Sequence, residues 1–384
     1  MLILYQNCSF DNKTGIWKNK DTNYSKKDKN LFEEFETVTS IDQLFNQTII
    51  ADNKLKLIIR NPITNFEWKD TFYSKTNNLK NFSLKGLNQV TFKSKKISRY
   101  KINKQVLFEG NHLITSDNKG NLLVFSISQN KVITKFNFYK KKYKKIDKFL
   151  NLIVENNIIY ISDNIGYLYA FNYKENKILW AKNYKIPFRG NLKLSNDKLI
   201  ASNQNNNLYF LNKSNGKVVR SIPTEETIIK NKFKNNLSLN EDLLLFLNTF
   251  GSLYAIDHKS LKIKWFINLK QSADLNPSNL FFGNQVVIKN DKAIVSSNQY
   301  TYIIDIKTGS IDYKKNFSTI VKPIILSKYI FLITKNNFLI AMNLDDGKIL
   351  FSSDINKNIA DFLNIKKNNA KIKIFYILNN KLYV

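Results

Sequence analysis

The sequence predicts an all-β protein, a β-propeller of four-stranded antiparallel blades, and three observations carry that prediction. One segment recurs seven times. Each copy stands in a frame of short β-rich runs. Nine of the eleven glycines fall at matching turn positions.

The recurring segment reads GNLLVFS at Gly120–Ser126, GYLYAFN at Gly166–Asn172, NNLYFLN at Asn206–Asn212 and GSLYAID at Gly251–Asp257. It continues as QYTYIID at Gln299–Asp305, NFLIAMN at Asn337–Asn343 and NKLYV at Asn380–Val384. The third residues (Leu122, Leu168, Leu208, Leu253, Thr301, Leu339 and Leu382) lie 38 to 48 residues apart, the period of a propeller blade. About ten residues before each copy comes a β-rich run such as AIVSS (293–297), and before that another, such as PIILS (323–327). After it come a polar turn and a fourth run, as in KENKILW (174–180) and DDGKILF (345–351). Four short runs with period-two alternation and turn residues between them describe an antiparallel blade.

Seven copies predict seven blades, with an eighth open because LKLIIR (55–60) is also strand-like. The last copy stops with the chain. The unpaired β-like run Val90–Ile102 is therefore expected to complete the last blade, joining N- and C-terminal strands in one sheet and removing an exposed edge. Residues 1–8 form a signal-like segment, 9–60 a tether and linker, and 61–384 one propeller domain. Within the linker, Asn30 and Glu33 frame a short helix over Leu31–Val38.

Composition bounds the function. The net charge of +30 suggests a polyanion binder, but 56 of the 60 basic residues are lysine and only Arg60, Arg99, Arg189 and Arg220 are arginine. Nucleic-acid sites favour arginine's planar fork. Lysine, asparagine and isoleucine inflated together mark an AT-rich coding sequence instead, and the run Lys140–Lys145 reads as a solvated loop. The lone Cys8 excludes an internal disulfide. His112 and His258 have no partner at metal-ligand spacing, and Asp257 and Asp305 fall at turns in repeat register, where a side chain caps the backbone. No catalytic, cofactor or metal residue is assigned.

GSLYAIDHKSLKIKW (251–265) and GYLYAFNYKENKILW (166–180) resemble the PQQ-type propeller repeat. The resemblance implies that Trp180 and Trp265 dock between blades; the other copies carry Thr134, Arg220, Tyr313 and Phe351 there. One branch of such propellers, the quinoprotein dehydrogenases, carries a vicinal cysteine pair that this chain lacks. The other branch is the family of BamB, the lipoprotein of the outer-membrane protein assembly machinery, and three features resemble it. MLILYQNC resembles a lipoprotein signal ending at a lipidated Cys8, although Asn7 stands where a small residue is usual. Only seven residues precede it, so a longer leader and an ordinary thiol both stay open. IPFRGNLKL (186–194) is similar to the loop with which that family contacts the polypeptide-transport-associated domains of its barrel partner. This implies Ile186 and Phe188 as exposed apolar contacts and Arg189 as polar anchor beside a Gly190 turn. The following blade departs from the pattern, with Lys232 and Lys234 where the family places acidic residues. Residues 61–83, with NPITNFEW and TNNLKNFS, are similar to the lead-in of α-proteobacterial members, Trp68 included.

The resemblance implies a non-catalytic scaffold, lipid-anchored at the periplasmic face of the outer membrane. It would bind the β-barrel assembly protein and, through blade edges, unfolded outer-membrane precursors. A quinoprotein dehydrogenase and a basic propeller binding polyanions are the alternatives.

Overall fold

The computed structural model describes residues 9–10, 17–18, 45–53, 55–86, 89–90, 92–226, 232–270, 280–366 and 371–384. Contacts divide the chain into Met1–Gln43 and Leu44–Val384. In the first unit Ser9–Phe10 pairs antiparallel with Trp17–Lys18. Cys8 and the helix expected over Leu31–Val38 lie outside the described residues.

The second unit holds six sheets of four antiparallel strands in meander order and a seventh of two. Blade 1 comprises Ile102–Glu109, His112–Asp117, Asn121–Ser126 and Lys131–Asn137. Blade 2 runs from Leu150–Glu155 to Lys177–Asn183, blade 3 from Lys193–Ser195 to Val218–Ile222, and blade 4 from Asn236–Leu239 to Lys262–Asn268. Blade 5 runs from Val287–Lys289 to Ile311–Lys315 and blade 6 from Ile324–Leu326 to Ile349–Asp354. A helix, Ile355–Leu363, then leads to the last pair, Tyr376–Leu378 and Lys381–Tyr383. First strands of successive blades touch, as in blades 1 and 2 or 4 and 5, so they line the axis.

Burial explains the strand sequences. The second and third strands are covered on both faces by neighbouring blades, and so read as continuous apolar runs such as LLLFL at Leu243–Leu247, all buried. Fourth strands are outermost and alternate, as in KVITKFN at Lys131–Asn137. The turn between second and third strands is closed by an Asp or Asn: Asp163 Oδ1 accepts from the amides of Ile165, Gly166 and Tyr167 at 2.8–2.9 Å, and Asn248 Oδ1 does the same for Phe250, Gly251 and Ser252.

In all six full blades the fourth strand carries a one-residue bulge at the same register. Bulges re-aim side chains, and the residue just after each one is Thr134, Trp180, Arg220, Trp265, Tyr313 or Phe351. Trp180 Nε1 donates to the Lys213 carbonyl of blade 3 at 2.7 Å, and Trp265 Nε1 to the Ile306 carbonyl of blade 5 at 2.9 Å. Tyr313 and Thr134 make the equivalent bond to Asp345 and Tyr173. The indole of Trp180 lies against Gly216, whose φ is +67° and where a Cβ would stand 2.6 Å from Cε3. Glycine satisfies both the backbone and the close approach.

Three expectations are corrected. The last copy, NKLYV, is a second strand and not a third: Lys381–Tyr383 pairs only with Tyr376–Leu378 among the described residues. The repeated Leu-x-Tyr pattern misled because second and third strands are equally apolar. Val90–Ile102 does not complete that sheet; its described part lies outside any strand until Ile102, which opens blade 1. N-terminal residues do join the last sheet, but these are Phe82, bridged in parallel to Leu378, and Ile63, bridged to Phe82. LKLIIR forms no strand among the described residues, so no eighth blade appears there. Instead Ile49 bridges Ser352 at the outer edge of blade 6, with N···O distances of 3.1 and 3.0 Å.

Replacing Gly216 by Ala is expected to cost about 2 kcal/mol through strain and overpacking. It should cost clearly less in a Trp180→Ala background, where the overlap is gone. Urea midpoints of the four proteins check this, and strict additivity would contradict the stacking.

Candidate functional site

The axis is filled by the chain itself. Residues 68–82 meet the first strands of all seven blades in their sequence order. Trp68 exchanges two 2.8 Å backbone bonds with Phe108 of blade 1, and Lys69 accepts from the Val154 amide of blade 2 at 3.0 Å. Asp70 reaches Lys193 of blade 3. Lys75 accepts from the Leu239 amide of blade 4 at 2.9 Å, and Thr76 from the Ile288 amide of blade 5 at 3.0 Å. Asn78 pairs through its carboxamide with Ile325 of blade 6, and Phe82 bonds to Ile377 and Asn379 of the last sheet. First strands have an inner edge that no blade neighbour covers, and this strap supplies partners for those backbone groups.

Asn77 sits at the centre with φ +60°, a conformation asparagine tolerates. Its Nδ2 donates to Leu237 and Val286 carbonyls of blades 4 and 5 at 2.9 and 2.8 Å. Lys193, fully buried, spends its three ammonium protons on Asp70 Oδ2 at 2.8 Å, the Ser74 carbonyl at 2.9 Å and Asn77 Oδ1 at 2.7 Å. Burial pulls its pKa down, and Asp70 opposes that. Asparagines clip neighbouring blades in the same way: Asn191 exchanges two 2.9 Å bonds with Leu237, and Asn236 accepts from the Val286 amide at 2.8 Å.

Above the strap, the segments leading into the first strands enclose a mouth of about 630 Å³. Arg189, Lys232, Lys234, Lys322 and Lys373 line it, with Phe233, Phe282 and Ile374 among the apolar residues, and among the described residues no carboxylate does. Burial, with Lys193 beneath it, lowers Lys322 to about 7, and Lys322 Nζ donates to the Asn77 carbonyl. Burial and the Arg189 charge lower Lys234 as well.

The loop 186–190 is therefore at the axis, but its residues divide the work differently from expectation. Phe188 is 1% exposed, packed between blades 2 and 3 with Tyr184 and Tyr209. It cannot be an exposed contact; it anchors the loop, helped by its backbone N–H, which donates to the Asp163 carbonyl at 2.9 Å. Gly190 is buried, and a Cβ there would stand 2.8 Å from the Asn235 carbonyl. Ile186 is half-buried, and Arg189 projects into the mouth beside Lys232 and Lys234. Sequence reasoning missed Lys193, Asp70 and Asn77. The available signal was register: Lys193 occupies the first-strand position filled by Leu107, Ile153, Val287 and Ile324 in other blades.

The remaining polar residues serve the frame. His258 Nε2 donates to the Glu241 carbonyl at 2.8 Å, and its Nδ1 shares a 2.7 Å hydrogen bond with Ser195 Oγ, pinning blade 3 to blade 4. Asp257 accepts from the Lys259 and Ser260 amides, which hold its carboxyl down to about 2, and Asp305 caps Lys307 and Thr308. Lys140, Lys141, Lys144 and Lys145 are exposed about a short 3-10 turn. Among the described residues no three His, Cys, Asp or Glu side chains group to hold a metal.

Repeating four-stranded sheets, inter-blade tryptophans and an axial strap define a PQQ-type β-propeller. The family model described as outer membrane protein assembly factor BamB matches residues 152–353, just over half of the 384 residues. The chain belongs to that family. BamB from Moraxella catarrhalis is similar in structure, with a TM-score of 0.54 at 15% identity over 65% of this chain and 75% of that one. The computationally designed Ika8 protein matches with a TM-score of 0.47 at 9% identity, over 65% and 70%. No curated protein matches the sequence.

Removing Asp70 should strand a buried ammonium. Asp70→Ala is expected to cost about 3–5 kcal/mol, and adding Lys193→Met to restore most of it. Chemical denaturation checks both, and a single-variant cost below about 1 kcal/mol would contradict the account.

Proposed function

We propose that this protein is a non-catalytic scaffold of the outer-membrane β-barrel assembly machinery, docking the barrel-assembly protein at the axial mouth. The carrying observation is Arg189. It is one of four arginines in the chain, and it is held in the mouth by a buried Phe188 on one side and a glycine that only fits without a side chain on the other. An arginine on a loop anchored by a buried phenylalanine, in a mouth with part of its lining apolar, has the character of an interface hot spot. Membership of the BamB family supports the same reading. In this reading the partner surface is the polypeptide-transport-associated domains of the barrel-assembly protein. Ile186 and Arg189 make contacts, and Phe188 and Gly190 shape the loop.

The protein acts at the periplasmic face of the outer membrane, tethered by a lipid on Cys8. Unfolded precursors pair with free edges of outer strands such as Val218–Ile222, where Val218 and Val219 are half exposed. Main-chain bonding of that kind needs no sequence specificity.

Arg189→Glu is expected to weaken capture of the barrel-assembly protein from detergent extracts by about thirtyfold, a 2 kcal/mol hot spot. The thermal unfolding midpoint should be unchanged. Full capture by the variant would remove Arg189 from the interface.

A further inference from the structure

The mouth combines two unmet needs that point to one ligand chemistry. The first is charge. Arg189 precedes blade 3, Lys232 and Lys234 precede blade 4, Lys322 precedes blade 6 and Lys373 precedes the last sheet, so four separate segments bring five basic side chains to one cavity. Among the described residues none of the five makes an ion pair with a carboxylate. Asp70, which lies below, is already bound to Lys193. Like charges converging in a partly desolvated cavity repel one another, and a bound anion would relieve this.

The second need is a hydrogen-bond donor. Asn235 lines the mouth and is 2% exposed; its Nδ2 donates to the Asn203 carbonyl at 2.6 Å, and this fixes which way the carboxamide faces. Its Oδ1 has no hydrogen-bond partner among the described residues. A buried acceptor left unpaired costs about 1–3 kcal/mol. Inorganic phosphate would neutralise the lysines but brings no N–H to Asn235, and a nucleic acid carries its N–H donors only on the bases, away from its charged phosphates. A peptide with acidic side chains brings both, and its apolar residues would meet Phe282, Ile320 and Ile374, which are each at least one-third exposed at the rim.

We propose that the axial mouth binds an acidic peptide segment of a partner protein. Its carboxylates are received by the arginine and lysines of the mouth, and a backbone N–H by Asn235 Oδ1. This rests on the docking role of the Arg189 face and gives that face its ligand chemistry.

The test titrates the purified full chain, by fluorescence anisotropy at about 0.15 M salt, with a labelled peptide of alternating Glu and Phe. Its Gln–Phe analogue and a single-stranded thymidine oligonucleotide of equal charge are compared. The Glu peptide should bind about tenfold or more tighter than both. Lys234→Glu and Lys373→Glu, on different segments, should each lower its affinity about tenfold, whereas Lys177→Glu on the outer strand of blade 2 should change it by less than about twofold. Equal binding of the Gln analogue, tighter binding of the oligonucleotide, or an equal loss with Lys177→Glu would each overturn the proposal. The peptide comparison uses the unaltered chain and stands even where a variant fails to fold. No barrel-assembly protein is present, so failure here leaves the Arg189 capture experiment standing, and failure of that experiment leaves peptide binding standing.

Discussion

The structure depends on the strap through its axis, and within it on the buried contact between Lys193 and Asp70. A ring of radial sheets leaves the inner edge of every first strand without a partner, and an axis lined by such edges would hold unpaired backbone groups. Here residues 68–82 pass the blades in order and pair with each. Lys193 replaces a core aliphatic, so an ammonium stands where four other blades place Leu, Ile or Val. Three acceptors from the strap surround it. Such a contact contributes little net stability compared with an apolar pair, but it has only one satisfactory arrangement. It thereby sets where the strap turns, and with it the floor of the mouth.

Much of the blade architecture was legible in the sequence, because it repeats. The third-strand copies, the turn glycines and the tryptophans at 180 and 265 are constraints each blade imposes separately, and six fulfilments of one pattern stand out from noise. The bulge before each docking residue was hidden, since an extra residue leaves no mark on composition, yet it is what turns Trp180 toward Gly216. The strap was hidden for a different reason. Its bonds reach the blades one after another, made by residues as different as Trp68, Lys69, Asp70, Thr76, Asn78 and Phe82 in an irregular segment, and no local period betrays contacts spread around a ring. TNNLKNFS was legible only as a likeness to other lead-in segments.

The site shows the same division. Arg189 was conspicuous through its rarity, but the exposure of its neighbour was not readable: an apolar-x-apolar-Arg-Gly loop can turn its phenylalanine out or in. Packing against Tyr184 and Tyr209 turns Phe188 inward. The lysine excess acquires local meaning where the fold gathers Lys232, Lys234, Lys322 and Lys373 around one arginine.

Native-state hydrogen exchange of three amides tests the central role of the strap most directly. The Val154, Leu239 and Ile288 N–H groups lie on separate blades and donate to Lys69, Lys75 and Thr76. If the strap holds the ring, all three exchange only through global unfolding, with one common free energy above that of outer-strand amides such as Lys182. Exchange of the three at separate, lower free energies, each following its own blade, would contradict the account.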